Sequence, residues 1–325
     1  MLGQSEVPRG QDDSYVAVCV SVKDEHCDIR EWILYHALLG MRKFYIFDTE
    51  SPKPVLRVLD DDMIASGLVE YKYLTVNNTE IPVQPPPPGK GINWQLPIYE
   101  YCLETYKETH RWMAFFDVDE FIMLEPGISS IPQLLKRFEE HPGVVLHRQM
   151  FGPNGWSGLG HINRPALGLL RSYTCCCPRT YFQHGRVKSI VQPLLTLRPR
   201  SNVHRFQFRK GHAVNTLGQN FSVTTLLEDE LHLVTYKHAW LAHYISKSLD
   251  EFLDKLDKRG AAGNSRKITD FVRWSRDCTD TCTAGLPWGQ KLAARFDLQR
   301  GVPKRCCKPP PLPVLSTEDM LEFER

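Results

Sequence analysis

Residues 15–48 read YVAVCVSVKDEHCDIREWILYHALLGMRKFYIFD, and the fold is decided here. Tyr15 to Val22 is a continuous apolar, β-branched run of strand length, the pattern of a parallel strand covered on both faces. Asp28-Ile29-Arg30-Glu31 reads as a capping box, with Asp28 accepting from first-turn N–H groups and Glu31 reaching back. The helix it opens carries Trp32, Ile33, Ala37 and Leu38 at helical spacing and ends at Gly40, a residue suited to a left-handed stop. Phe44 to Phe47 is the second strand, and Asp48-Thr49-Glu50-Ser51-Pro52 is the turn after it.

Outward from this unit the pattern repeats. Pro54 to Ser66 predicts a second helix stopping at Gly67, and Leu68 to Leu74 a third strand. Alternating strands and helices with short connections predict an α/β fold: a mostly parallel sheet with right-handed crossovers and helices on both faces. Gln84-Pro85-Pro86-Pro87-Pro88-Gly89 excludes helix and central strand and reads as a stiff surface spacer. A helix is expected from Asn93 to Lys107, then a buried strand from Trp112 to Ile122 that runs into acids. Further on, 151–165 is a glycine-rich loop, short strands are expected at 186–197 and 231–237, and Ser248-Leu249-Asp250-Glu251 is a second capping box, opening a helix that ends near Gly260. The expected division is a disordered lead-in at 1–14, one domain at 15–274, and an irregular Cys/Pro-rich C-terminal extension at 275–325.

The chain has 325 residues, 42% hydrophobic and 24% charged, enough to bury a sizeable core. Forty basic against 38 acidic residues leave +2, which excludes a strongly basic nucleic-acid binder and an acidic disordered chain. No apolar run approaches the roughly 18 residues of a membrane span, and MLGQSEVPRGQDD does not read as a signal peptide. The expectation is a protein soluble in its own compartment or one tethered by an anchor outside this sequence. Ten cysteines do not form a small-domain framework or a zinc spacing. A pairing of Cys278 and Cys282 with Cys306 and Cys307 stays open beside ordinary thiols. Asn77-Asn78-Thr79 and Asn220-Phe221-Ser222 fit the glycosylation acceptor pattern and weakly favour a secretory lumen.

The strongest chemical signal is Asp117-Val118-Asp119 at the end of the apolar strand. In an extended strand, residues i and i+2 share a face, so the two carboxylates converge and repel unless a cation sits between them. Ligands of open α/β sheets bind beyond the carboxyl ends of the strands, where these acids fall. Hard oxygen ligands favour Mg²⁺ or Mn²⁺, and Mg²⁺ binds through substrate phosphates, so the implied ligand is a diphosphate. The alternative for an isolated Asp-x-Asp is a solvated turn. A phosphatase with an aspartate nucleophile is disfavoured, because its motif lies on the first strand and at least three strands come before this one.

Lys23-Asp24-Glu25, Glu31-Trp32, Tyr35-His36, Gly40 and Phe44-Tyr45-Ile46-Phe47-Asp48 resemble the opening of the family 92 glycosyltransferases. Gln95, Trp112, Asp117-Val118-Asp119-Glu120-Phe121, Phe151-Gly152, Arg171, Lys188, His204 and His243-Tyr244 with Lys247-Ser248 continue the resemblance over about 15–260. It implies a GT-A (Rossmann-like) fold and a metal-dependent, inverting transfer of a sugar, galactose from UDP-galactose in characterised relatives, to a glycan or polysaccharide hydroxyl. The implied cofactor is Mn²⁺ or Mg²⁺, the partners are a UDP-sugar donor and a glycan acceptor with no nucleic acid, and membrane association comes only through an anchor this chain does not contain. The implied location is the Golgi lumen, with a cytoplasmic one left open.

On this resemblance Asp119 is the direct metal ligand, Asp117 touches the metal, its water or the ribose, and His243 supplies a third ligand. Lys247, beside the N-terminus of the helix capped by Ser248, is expected at the diphosphate. Lys23, Glu25, Asp48 and Gln95 are expected around the nucleotide. Inversion needs a general base, assigned to Asp229 in the Glu228-Asp229-Glu230 cluster. Trp156 and His161 are expected at an acceptor sugar. Leu170 before Arg171 departs from the acid that relatives often carry there. Lys188 and His204 match without a role beyond donor or acceptor contact. Two other functions stay open: an inactive nucleotide-sugar or carbohydrate-binding protein, and a nucleotide-sugar hydrolase.

Overall fold

The computed structural model describes residues 14–84, 91–153, 168–200, 203–221, 234–256, 266–296 and 298. Among them the chain runs β1 (Val16–Val22), α1 (Ile29–Leu38), β2 (Lys43–Thr49), α2 (Asp61–Ala65), β3 (Val69–Leu74), α3 (Gln95–Thr105), β4 (Trp112–Phe115) and β5 (Glu120–Leu124). It continues through α4 (Ile131–Leu135), β6 (Gly143–Met150), α5 (Leu169–Ser172), β7 (Cys175–Cys176), β8 (Val187–Val191), β9 (Thr196–Pro199) and β10 (Phe206–Phe208). It closes with β11 (Ala239–His243), α6 (Leu249–Leu256), α7 (Ile268–Asp277), β12 (Asp280–Thr281) and α8 (Leu286–Arg295).

Eight strands form one sheet in the order β3-β2-β1-β4-β8-β6-β11-β5. β3, β2, β1 and β4 are mutually parallel; β8 runs against β4 and β6, β11 is parallel to β6, and β5 runs against β11. The fold is therefore α/β with a mostly parallel sheet, as the alternating pattern predicts. All seven residues of β1 are buried, which is why they read as one apolar run. On one face α1 and α8 share a core with β5; Tyr35 of α1 meets Trp288 of α8 edge-on, with ring centroids 5.6 Å apart. On the other face α3 and the β9–β10 hairpin cover Ala17, Tyr45, Phe47, Met113 and Phe115.

The Glu31-Trp32…Tyr35-His36 block has a structural task. β5 is an edge strand, and its outer backbone groups are met by α1 side chains. Trp32 Nε1 donates to the Glu120 carbonyl at 2.8 Å, the Tyr35 hydroxyl donates to the Ile122 carbonyl at 2.7 Å, and the Ile122 N–H donates to His36 Nε2 at 3.2 Å. An edge that would otherwise present unpaired donors and acceptors is closed by one helix.

Several expected elements differ. The first capping box is absent: Asp28 makes no side-chain cap, and the Glu31 carboxylate instead accepts from the N–H groups of Leu169 and Leu170 at 2.6 and 3.4 Å. The helix expected at 54–66 is a 3-10 turn at Val55–Val58 and then the short α2. Leu59 and Asp60 between them are extended, with the Asp60 carboxylate drawn to Arg30 at 2.9–3.1 Å. The strand expected at 112–122 is two strands, because residues 116–119 turn and the Glu120 N–H closes on the Asp117 carbonyl at 3.0 Å. The late strand expected at 231–237 is β11, at 239–243, and residues 231–233 lie outside the described set. The second capping box forms in part: Glu251 accepts from the Ser248 N–H at 3.3 Å and its hydroxyl at 2.6 Å.

The stretch after 275 carries β12 and α8, and Leu292 of α8 is fully buried in the core. Disulfides Cys176–Cys282 and Cys177–Cys278 bind it to β7 and its neighbour, and Cys19–Cys102 joins β1 to α3. The open pairing of Cys278 and Cys282 with Cys306 and Cys307 is thus replaced by one with the consecutive cysteines 176 and 177. The lead-in 1–13, the proline run 85–90 and the stretch 301–325 lie outside the described residues.

Candidate active site

The site lies at the carboxyl ends of the parallel strands, where the β4–β5 turn, the ends of β6 and β11 and the start of β8 meet. Asp117 and Asp119 sit on that turn, so the same-face argument for an extended strand does not apply, and the two acids serve different partners.

Asp117 is held on both oxygens. Gln95 Nε2, at the start of α3, donates to Oδ1 at 2.8 Å, and Lys188 Nζ donates to Oδ2 at 2.6 Å. Lys188 is 2% exposed and also lies 3.3 Å from Glu120 Oε2, which accepts from the Asp117 N–H at 2.8 Å. Burial opposes the lysine's charge, but Asp117 and Glu120 outweigh it and hold Lys188 above the ordinary lysine value. Glu120 is fully buried; burial pushes its carboxyl up to about 7 against the pull of Lys188, with Asp117 and Asp119 adding to the rise. The first aspartate of the motif is therefore neutralised by a protein cation.

Asp119 faces a different set. Its Oδ1 is 3.5 Å from His243 Nε2, and its Oδ2 is 3.7 Å from Lys255 Nζ and 3.9 Å from an Arg266 amino nitrogen. The Tyr244 N–H donates to the Asp119 carbonyl at 2.9 Å, which fixes the turn against β11. Burial would raise the Asp119 carboxyl, yet the surrounding positive groups carry it below the usual range. His243 is itself pushed well below its ordinary value by burial and is a neutral imidazole at pH 7, so Lys255, Lys247 and Arg266 supply that charge. On its other side, Arg148 of β6 lies 3.2 Å from His243 Nδ1, and Glu120 Oε1 lies 3.7 Å away. Burial lowers the Arg148 guanidinium to about 10.

Lys247 is buried and adopts a left-handed backbone, φ +53. Its Nζ pairs with Asp28 and lies 3.3 Å from Glu25 Oε2; Glu25 Oε1 is in turn 3.4 Å from Lys255. The lysine expected at a diphosphate therefore clamps the loop after β1 to the start of α6. Asp48, expected at a base or ribose, is fully buried, and its Oδ2 accepts from the Val55 N–H at 2.8 Å and the Tyr71 hydroxyl at 2.7 Å. It holds the turn after β2. Lys23, partly exposed, lies 3.8 Å from Glu50. His204 Nδ1–H donates to the Val187 carbonyl at 3.0 Å, and burial keeps the ring neutral. Asp229, Trp156 and His161 lie outside the described residues.

The fit to a divalent cation can be judged from the donors. Two ligands at roughly 2.1 Å on one ion stand about 3.0–3.5 Å apart, close to the 3.5 Å between Asp119 Oδ1 and His243 Nε2. Among the described residues no group of three His, Cys, Asp or Glu gathers at metal spacing. The described residues would thus offer two ligands, with the other positions left to water and substrate oxygens, as suits Mg²⁺-like ions. The sequence reading missed Arg148, Lys255 and Arg266. Each is one basic residue without a motif, and only the packing of β6, α6 and the segment before α7 brings them to Asp119 and His243.

Residues 14–279 match the model of glycosyltransferase family 92, and the chain belongs to that family. It is 26% identical over 300 residues to a family 92 glycosyltransferase protein of Oryza sativa subsp. japonica, covering 84% of this chain and 46% of that one. It is 34% identical over 122 residues to a galactan beta-1,4-galactosyltransferase of Arabidopsis thaliana, covering 37% of this chain and 23% of that one. The chain spans less than half the length of the curated relatives it matches. A solved mycobacterial protein aligns at 14% identity over 89% of this chain and 76% of its own, with a TM-score of 0.32, and bears on neither fold nor function.

Proposed function

We propose that the chain transfers a sugar, galactose in the first instance, from a UDP-sugar to a glycan hydroxyl with inversion, using Mn²⁺ or Mg²⁺. The observation that carries this reading is the Asp119–His243 pair, 3.5 Å apart at the sheet rim and flanked by Lys255 and Arg266. Family membership and the similarity to galactan galactosyltransferases support it.

Asp119 and His243 hold the cation. When bound, the ion supplies Lewis-acid stabilisation of the leaving diphosphate. Lys255 and Arg266 share the positive charge beside Asp119 and are placed to meet phosphate oxygens. Lys188 keeps Asp117 and Glu120 compensated whether or not the ion is present, so the turn keeps its shape. Lys247, Asp28 and Glu25 fix the loop after β1 against α6. Arg148 and Glu120 flank the Nδ1 side of the His243 ring. The acceptor proton passes to Asp229 in this reading.

The three disulfides among the described residues favour an oxidising compartment, and we place the protein in the secretory lumen. No helix of the described residues is long and apolar enough to cross a membrane. The test is UDP release from UDP-galactose, with and without Mn²⁺ and a galactan acceptor. The reading expects release that needs both the metal and the acceptor. Release at one rate regardless of acceptor would instead favour hydrolysis, and no release with any UDP-sugar would overturn the assignment.

A further inference from the structure

Between Glu140 and Glu228 the chain contains no aspartate or glutamate, although it has 38 acidic residues in 325. The same stretch carries eleven lysines and arginines. Lys188 is consumed by Asp117 and Glu120, and Arg148 is buried beside His243. Arg186 and Arg200 are different. Both are exposed, and neither has a carboxylate partner among the described residues.

The fold sets these two arginines beside the site. Arg186 immediately precedes β8, two residues from Lys188. The His204 ring bonds the Val187 carbonyl at 3.0 Å, Ser189 Oγ donates to the His204 carbonyl at 2.9 Å, and the Arg200 N–H donates to the Arg205 carbonyl at 2.8 Å. Arg200 and residues 203–205 are thereby laid along the start of β8, whose Lys188 reaches Asp117 at 2.6 Å. The antiparallel register of β6 and β8, in which His147 faces Val187, brings Arg186 alongside Arg148. Lys255 and Arg266, which serve the diphosphate in the reading above, belong to the other flank, beside α6 and α7. The β8 flank is left for the acceptor.

We propose that Arg186 and Arg200 form an acceptor-side shelf that binds an anionic glycan, one carrying carboxylate or sulfate groups. The word acceptor rests on the transferase reading; the binding of the anion does not. Guanidinium groups are weakly hydrated planar forks that match carboxylate and sulfate oxygens in pairs. Two of them without counter-carboxylates among the described residues, beside a site whose own charges are already paired, steer a polyanion and hold it in a salt-dependent way.

The test is direct binding to the full chain by calorimetry or affinity electrophoresis, with oligogalacturonate, a sulfated oligosaccharide and neutral galactan as probes. The expected result is binding of at least one anionic probe, at least tenfold tighter than neutral galactan and weakened at least tenfold by R186Q/R200Q. Which of the two anionic probes binds identifies the group recognised. A control, R209Q/K210Q, makes the same charge change where β10 ends, near the opposite end of β8, and is expected to shift binding less than twofold. Failure of both anionic probes, equal binding of neutral galactan, or an equal loss in the control overturns the proposal. UDP-galactose with Mn²⁺ is run in parallel as a thermal-shift assay. Anion binding without donor stabilisation counts against the transferase reading alone, and donor stabilisation without anion binding against the shelf alone.

Discussion

Lys188 Nζ stands 2.6 Å from Asp117 Oδ2, so the first aspartate of the Asp-x-Asp motif already has its cation. The lysine comes from β8, which runs against both its neighbours, and it also lies 3.3 Å from the fully buried Glu120. In the proposed function, this division of labour assigns the metal and donor to Asp119 and His243. It also predicts what happens when either partner is removed.

Lys188→Met leaves two carboxylates at the turn without compensation. Breaking a buried pair by removing one partner costs about 3–5 kcal/mol, and urea unfolding is expected to show a loss in that range. The double variant Lys188→Met with Asp117→Asn is expected to recover part of it, giving a coupling energy of about 1–3 kcal/mol. Simple additivity of the two substitutions would contradict the pairing.

Glu31→Gln tests the contact that replaced the expected capping box. The carboxylate accepts from two buried N–H groups, those of Leu169 and Leu170. Hydrogen bonds to a charged acceptor are worth about 1.5–3 kcal/mol, so a loss of that size is expected in denaturant unfolding. An unchanged midpoint would remove Glu31 from the account of how α5 is held.

Reduction tests the C-terminal packing. The Cys176–Cys282 and Cys177–Cys278 bonds span 106 and 101 residues. Loops of that size correspond to roughly 4–5 kcal/mol in the chain-entropy model, with measured values commonly about 2–4. Cys278→Ser with Cys282→Ser is expected to lower Tm by several degrees and to expose α8 to protease, since Leu292 and Trp288 pack against the core. An unaltered Tm and protease pattern would show that the apolar contacts suffice.

Acid should destabilise the protein through its buried histidines. Burial lowers His36 to about 3 and His184 to about 4, and each ring is hydrogen-bonded as the neutral form. The unfolded chain takes up these protons near pH 6.5 and the folded chain does not, so stability is complete above that pH and falls as pH drops toward the folded values. At pH 5 each contributes a loss of about 2 kcal/mol. Urea midpoints at pH 7 and pH 5 check this, and a flat profile would contradict it.

Much of the fold was legible because β1, α1, β2 and β3 each carry one unambiguous pattern. Boundaries failed where a tertiary partner intervened: Asp60 is drawn to Arg30, and Glu31 to the start of α5. The acids and the imidazole of the site were legible from the motif and the family resemblance. Their division was not, because Lys188 lies 71 residues from Asp117, and a single lysine in a strand carries no signal of what it faces. The same holds for Arg148, Lys255 and Arg266. The nucleotide expectation for Asp48 rested on its place at a strand end, and burial under the following turn gives it a structural task instead.

The central claim is that Asp119 and His243 together seat the ion that carries the donor, and a thermal-shift titration tests it most directly. Wild type is expected to gain several degrees with UDP-galactose and Mn²⁺ together and little with either alone, while Asp119→Asn and His243→Gln keep a folded baseline and lose the gain. A variant at either position that responds to Mn²⁺ and donor as wild type does would contradict the claim.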